Sequence, residues 1–255
     1  VVIHVHGNYL KTQYALLAGF KKKLFHYILS RANKGIVSSE LLKDNLTPFL
    51  KEDAIFWMPY FVEKTLKDIT EQEVINTDGL NILYLSNLME GKGIFDVFKS
   101  LEILNKNKVA YKAKIIGGID EEHKEKTFKY INSNSNISYF KPIRGKEKIE
   151  AYLSSNVFIL PTYYKMEGQP IALLEAMFTG NIIITTDHAG ILDICSEKNG
   201  FIVTKKSPNE IAEKLAVIAN NPENFKDMMA YNHQYAKNNY TSQDFIYKLA
   251  TILKK

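Results

Sequence analysis

Residues 156–186 read NVFILPTYYKMEGQPIALLEAMFTGNIIITT: two short apolar runs, 156–160 and 181–186, flank a stretch with helical spacing at 170–179. Neither run alternates apolar with polar residues, so each expects burial on both faces, as in a parallel sheet covered by helices on both sides. The first run ends at Pro161, a loop carries Glu167, and Pro170 sits where a first helical turn accepts proline. The same alternation runs through the chain. Runs at 1–6, 35–39, 54–58, 81–86, 112–116, 137–140 and 201–204 predict further strands, and 13–32, 39–50, 94–106, 121–133, 146–154, 208–220, 223–238 and 242–253 predict helices. Ser207-Pro208 with Glu210, and Asn221-Pro222 with Glu223, supply start signals for two of these helices. The fold class that follows is α/β, with a doubly wound, Rossmann-like parallel sheet.

The polar stretch 63–79 holds few large apolar residues and reads as a linker. It divides the chain into an N-terminal part, 1–62, a larger α/β unit, 80–240, and a closing helix within 241–255. The opening VVIHVHG starts at Val1 and already reads as a buried strand, so the chain is expected to begin partway through a domain. No internal repeat or low-complexity segment is evident.

With 255 residues, 45% hydrophobic and 24% charged, the composition is that of an ordinary soluble globular protein. No apolar run approaches the roughly 20 residues needed to cross a bilayer, and the N-terminus lacks the order of a signal peptide, so a cytoplasmic location is expected. Cys195 is the single cysteine and cannot form an internal disulfide; no cysteine/histidine cluster is spaced for zinc. The net charge of +5 is uneven: residues 1–51 carry eight cations against two anions. Such a part suits an anionic lipid surface or anionic acceptor, and equally a solvated helix face. Nucleic acid is not expected, because no binding module accompanies the charge.

In open parallel sheets ligands bind beyond the carboxyl ends of the strands, where helix N-termini offer free N–H groups. One such junction is Tyr84-Leu85-Ser86-Asn87-Leu88-Met89-Glu90-Gly91-Lys92-Gly93. Gly91 and Gly93 allow a tight turn close to a ligand, and Lys92 can set an ammonium beside a phosphate. Alone this is a glycine-rich turn with a surface lysine; it is neither a Walker loop nor a dinucleotide GxGxxG. The other is the 160–177 junction. Glu167 in its loop and Glu175 in the second helical turn can face one ligand at different depths, each carboxylate accepting a pair of vicinal hydroxyls. The N–H groups of Gly168, Gln169 and Ile171 would meet a phosphate. Singly, Glu167 reads as a complement to a helix dipole and Glu175 as a solvated helix position.

Taken together, the segment resembles the Glu, seven residues, Glu motif of the group 1 retaining glycosyltransferases of GT-B fold, typified by capsule, lipopolysaccharide and phosphatidylinositol mannose transferases. The likeness extends through Pro-Thr-Tyr, Glu-Gly-Gln-Pro and Leu-Leu-Glu-Ala-Met to Gly180 and the strand before Asp187-His188-Ala189-Gly190, and SNLMEGKGI resembles the family's phosphate loop. The resemblance implies that Lys92 neutralises the donor diphosphate, Glu175 binds the ribose and Glu167 the transferred sugar. It implies that the 167–171 loop, with Gly168, Gln169, Pro170 and Ile171, passes close to that sugar and the diphosphate. Phe140-Lys141-Pro142-Ile143-Arg144 occupies the place where the family holds the base. Where many members have arginine this chain has Asn87, which shifts neutralisation toward Lys92 and helix dipoles; Arg144 is a candidate substitute. His4-Val5-His6-Gly7 resembles the acceptor-side active strand, with His6 reaching toward the donor sugar and His4 structural.

The implied activity is a hexosyl transfer with retention from a nucleotide-sugar, favouring a UDP-sugar, to a glycan or lipid-linked acceptor in polysaccharide or lipopolysaccharide synthesis. No cofactor is expected, and no metal, since there is no Asp-x-Asp pair at a strand end. The basic N-terminal part suggests peripheral attachment at the inner face of a membrane. Two alternatives stay open: a sugar-nucleotide epimerase of similar shape, and a donor-binding module inactive alone. A nicotinamide enzyme is disfavoured because no GxGxxG follows a strand.

Overall fold

The computed structural model describes residues 1–63, 66 and 69–254. Two parallel sheets organise them. The first joins β1 (Val2–Val5), β2 (Lys34–Val37) and β3 (Ile55–Trp57) in that order, with Val2 opposite Lys34 and Gly35 opposite Ile55. The second contains β4 (Asn81–Leu85), β5 (Lys112–Ile116), β6 (Ile137–Phe140), β7 (Val157–Leu160), β8 (Ile182–Thr186) and β9 (Gly200–Val203), in the spatial order β6-β5-β4-β7-β8-β9. Numbered within that sheet the order is 3-2-1-4-5-6, the doubly wound arrangement, so the topological switch point lies between β4 and β7. All nine runs expected as strands are strands, to within two residues at their ends.

The helices are α1 (Leu10–Leu16), α2 (Gly19–Leu29), α3 (Glu71–Val74), α4 (Ile94–Lys106), α5 (Lys124–Asn132), α6 (Gly145–Leu153), α7 (Ile171–Phe178), α8 (Pro208–Asn220), α9 (Lys226–Asn239) and α10 (Ser242–Lys254). In α4, Ile94, Val97, Phe98, Leu101 and Leu104 recur at three- and four-residue intervals and are buried, forming the stripe that seats the helix on the large sheet. Every residue of β7 and β8 is buried, as their unbroken apolar runs require. Helix α7 buries the six residues from Leu173 to Phe178, under α9 on one side and the sheet on the other. Each large apolar side chain so buried contributes about 1.5–3 kcal/mol, which fixes the loop ahead of α7 to a rigid base.

Two sequence expectations differ from the structure. The helix expected over 13–32 is two helices, because Leu17 and Ala18 are extended and Gly19 takes a positive φ of 54°. The helix expected over 39–50 is a 3-10 turn at Glu40–Asn45; Pro48 disfavours helical backbone at Thr47 and has no N–H to continue one. Of the 63–79 stretch, Lys64, Thr65, Lys67 and Asp68 lie outside the described residues. Leu66, Ile69 and Val74 are buried in the large core, and α3 carries a Thr70/Glu73 capping box, so these residues are anchored there. Lys255, in the segment read as the closing helix, also lies outside the described residues.

Helix α10 returns to the first sheet, where Ile252 packs with Ile36 and Met58 and Phe61 meets Phe245 at 4.7 Å between ring centres. The sheets also meet at the loop after β7. A Cβ on Gly168 would stand 2.3 Å from the His6 carbonyl oxygen, so only glycine permits this approach. The Glu40 N–H donates to Asp193 Oδ2 at 2.9 Å beside it. Helix α2 buries none of its residues and exposes Phe20, Leu24, Tyr27 and Ile28 beside its lysines. Among the described residues no helix is long and apolar enough to cross a membrane.

Candidate active site

The loop after β4 and the loop after β7 meet at the switch point. Gly93, with φ 77°, lies so close to Pro161 that a Cβ would stand 2.4 Å from its carbonyl oxygen. The Tyr163 N–H donates to the Gly91 oxygen at 2.8 Å. This contact brings the 3-10 turn Glu90–Lys92 against the stretch carrying Glu167. A cavity of about 330 Å³ opens here, lined by His6, Tyr60, Ser86, Lys92, Glu167, Gly168, Gln169, Pro170 and Ile171, among others. It lies beyond the carboxyl ends of β4 and β7, the place where this class of sheet binds ligands.

Lys92 Nζ is 2.6 Å from Glu167 Oε2, with both side chains largely buried, and the Thr162 hydroxyl donates to the same carboxylate oxygen at 3.2 Å. The ammonium, which also stands over the Tyr164 ring, has three donors, so the pair leaves it N–H capacity for an incoming oxygen. Behind Glu167 the chain enters α7, whose first N–H groups have no intrahelical acceptors and whose dipole favours an anion.

His6, at the end of β1, is exposed to the cavity, and its Nδ1 lies 2.5 Å from the Tyr60 hydroxyl. The Tyr60 N–H donates to Gln169 Oε1 at 2.6 Å, which ties the crossing between the sheets to the Glu167 loop. His4 lies one pleat back, its ring centre 4.1 Å from that of His6. Burial, and then the neighbouring His6, push His4 down to about 4, and its Nε2 has no partner among the described residues. His4 is thus held neutral, as a structural role requires.

Glu175 is placed differently from the other site residues. It is 4% exposed and does not line this cavity. Its Oε1 lies 2.7 Å from Lys148 Nζ, and its Oε2 accepts from the Tyr152 hydroxyl at 3.0 Å. Lys148 also reaches Glu63 at 3.2 Å. Burial opposes the charge on Lys148, but the hydrogen bonds and charges of Glu175 and Glu63 outweigh it and raise the ammonium above the usual lysine value. Both carboxylate oxygens therefore have protein partners, with one further lone pair each.

Asn87 and Arg144 are exposed, and Arg144 caps the start of α6 without a side-chain bond to it. Phe140 and Ile143 of the expected base-holding stretch line a second cavity of about 530 Å³, together with Ile116 and Glu147. Asp120, Glu122 and His123 bring ligand atoms within 4.8 Å of one another, and none of them lines the first cavity. Tyr60, Thr162, Lys148 and Tyr152 were not singled out from sequence. Tyr60 and Lys148 acquire their partners only through the packing of distant segments, and no spacing signals that.

A 3-2-1-4-5-6 parallel sheet with a lysine and a glutamate paired at its switch point, faced by a second parallel sheet whose first strand is followed directly by His6, is the GT-B architecture of glycosyltransferases. The chain belongs to the family of glycosyl transferases group 1, whose model matches residues 67–238. It is 26% identical over 215 residues to the capsular polysaccharide biosynthesis glycosyltransferase CapM of Staphylococcus aureus, covering 82% of this chain and 55% of CapM. To the N,N'-diacetylbacillosaminyl-diphospho-undecaprenol alpha-1,3-N-acetylgalactosaminyltransferase of Campylobacter jejuni it is 24% identical over 181 residues, 69% of this chain and 46% of that one. Among solved structures it superposes on Anabaena HepE in complex with UDP and glucose with a TM-score of 0.80 at 12% identity, across 100% of this chain and 71% of that chain. S. aureus TarM, solved with UDP, gives 0.79 at 19% identity across 100% of this chain and 50% of TarM. The chain spans about half the length of the curated relatives it matches.

Proposed function

We propose that this chain carries the donor site of a retaining glycosyltransferase that moves a hexosyl group from a nucleotide-sugar, a UDP-sugar in the first instance, to a glycan or lipid-linked acceptor in polysaccharide assembly. The observation that carries the reading is the Lys92–Glu167 pair at 2.6 Å in the switch-point cavity. A cation for a diphosphate and a carboxylate for sugar hydroxyls stand side by side there, next to the start of α7. Relatives named for capsule and diphospho-undecaprenol chemistry, and neighbours solved with UDP, support the same class of substrate.

In this reading the sugar C1–O bond breaks with its electron pair leaving on the diphosphate, where Lys92 and the α7 N-terminus meet the developing charge. The acceptor oxygen bonds to C1 from the face the diphosphate vacates, and its proton passes to a phosphate oxygen. Configuration is retained without a protein nucleophile, and the ammonium serves where other sites use a divalent cation. Glu175, on α7, supports the ribose through the lone pairs that Lys148 and Tyr152 leave free. The exposed basic and apolar face of α2 supports peripheral attachment to an inner membrane surface.

The test is calorimetry and thermal shift of this chain with UDP, GDP and UMP, and sugar transfer from a panel of UDP- and GDP-sugars by a longer protein, in which the chain is extended to the length of its relatives. Tighter binding of a nucleoside diphosphate than of UMP supports the diphosphate assignment; equal binding removes it. Binding with no transfer by the longer protein would leave a donor-binding module.

A further inference from the structure

The crossing from the first sheet to the second runs through Pro59, Tyr60 and Phe61, and places Tyr60 between two functional groups that belong to different sheets. Its hydroxyl meets His6 Nδ1 at 2.5 Å, with the two ring planes 2° apart. Its main-chain N–H is held by Gln169 Oε1 at 2.6 Å. A main-chain N–H can only donate, so the Gln169 side chain has its oxygen on this side, which settles the amide orientation. Gln169 is itself 4% exposed, so the anchor that holds Tyr60 is rigid.

A tyrosine hydroxyl can donate or accept, and the surroundings decide which. Burial raises the Tyr60 phenol above its ordinary value, so it keeps its proton at neutral pH. The Ser38 hydroxyl, buried with no hydrogen-bond partner among the described residues, does not claim the phenol proton, and of the two groups that do meet, a phenol is the stronger donor and a bare imidazole nitrogen the stronger acceptor. The phenol proton is then left for His6. His4, the other ring against His6, is held neutral and adds no charge to the pair.

Resting on the donor-site reading above, we infer that Tyr60 is a positioning residue for His6: its hydroxyl donates to Nδ1 and fixes the ring as the Nε2–H tautomer, so that Nε2–H is the donor offered to a substrate oxygen in the cavity. The anchor on Gln169 makes this orientation depend on the same loop that carries Glu167. A sugar seated against that loop therefore meets an imidazole already turned and protonated for it, with no reorganisation left to the moment of reaction.

The test has a readout that needs neither donor nor activity. Long-range proton–nitrogen correlation of this chain at about pH 8, above the ordinary histidine range, is expected to show His6 as one tautomer, protonated on Nε2 and bare on Nδ1. Tyr60→Phe, which keeps the ring and removes only the hydroxyl, should shift His6 to a mixture of both tautomers. A wild-type signal showing Nδ1–H, or a Tyr60→Phe ring still wholly in the Nε2–H form, would overturn the inference. In the longer protein Tyr60→Phe should lower kcat by about tenfold or more with the donor KM changed less than about threefold. It should cost nothing further in a His6→Ala background, and additive losses would count against it. Absence of any transfer by the longer wild-type protein would defeat the functional reading instead, and the tautomer measurement would still decide this one.

Discussion

Lys92 and Glu167 come from loops 75 residues apart and meet as an ion pair at 2.6 Å, with side-chain exposures of 15% and 9%. Desolvating both charges is costly, and the contact returns that cost only while both partners stay. The pair therefore holds the two loops in register, and in the proposed reading it keeps a cation facing the donor diphosphate.

Removing either charge should separate binding from chemistry. Lys92→Met is expected to weaken UDP binding by about 10- to 100-fold, the worth of a charge-assisted contact to phosphate. It should also destabilise the chain by about 3 kcal/mol, because it strands the Glu167 carboxylate. Glu167→Ala should leave UDP affinity nearly unchanged while lowering the transfer rate of the longer protein. Calorimetry with free UDP checks both, and equal damage to UDP binding by Glu167→Ala would show that this carboxylate does not serve the sugar.

Glu175 should behave as part of a buried network. Lys148→Met leaves the carboxylate, 5% exposed, with only Tyr152 against it, and is expected to cost about 3 kcal/mol in urea unfolding. Lys148→Met combined with Glu175→Gln should recover much of that loss, since the stranded charge is gone. Glu175→Ala should weaken UDP binding; undiminished affinity would remove it from the ribose and leave it as a structural anion.

How much of this was legible in the sequence follows from which interactions are local. The strands were readable because β7 and β8 are buried on both faces and carry unbroken apolar runs, and α4 because its buried stripe keeps helical spacing. The 13–32 and 39–50 stretches misled because their apolar spacing continues across Ala18–Gly19 and up to Pro48, where backbone chemistry ends the helix. Lys92 and Glu167 stood out as candidates because each lies at a strand-to-helix junction, and their roles came only through the resemblance of those two junctions to the family's motifs. Lys148 was not, because its partners Glu175 and Glu63 are 27 and 85 residues away and only the packing of α6 on α7 joins them.

The meeting of Gly168 with the end of β1 should tolerate no side chain. In Gly168→Ala the new Cβ would stand 2.3 Å from the His6 carbonyl oxygen, a main-chain atom that cannot swing aside. A shift of the loop away from His6 would break the Tyr60–Gln169 anchor, so the variant is expected to lose about 1–3 kcal/mol of stability. UDP binding should fall with it. A thermal midpoint unchanged from wild type would mean that the two sheets do not meet here in solution.

His4 should give the chain an acid-sensitive increment of stability with a definite window. In the folded state its value is lowered from 6.5 to about 4 by burial and by His6, so between those values the unfolded chain binds the proton more readily. Stability from this group is therefore complete above about pH 6.5, is lost as pH falls toward 4, and changes no further below that. The ring is only half-buried, so the increment is about 1–2 kcal/mol once solvent screening is allowed for. His4→Phe keeps a ring in the same space and removes the titration. Because Nε2 has no hydrogen bond to lose among the described residues, the substitution should cost little at pH 7.5. Urea midpoints for both proteins at pH 7.5 and 4.5 separate this group from the carboxylates, which titrate alike in the two. A smaller acid-induced loss in His4→Phe is expected, whereas parallel losses would mean that water reaches this ring and that the end of β1 beside His6 is open rather than packed.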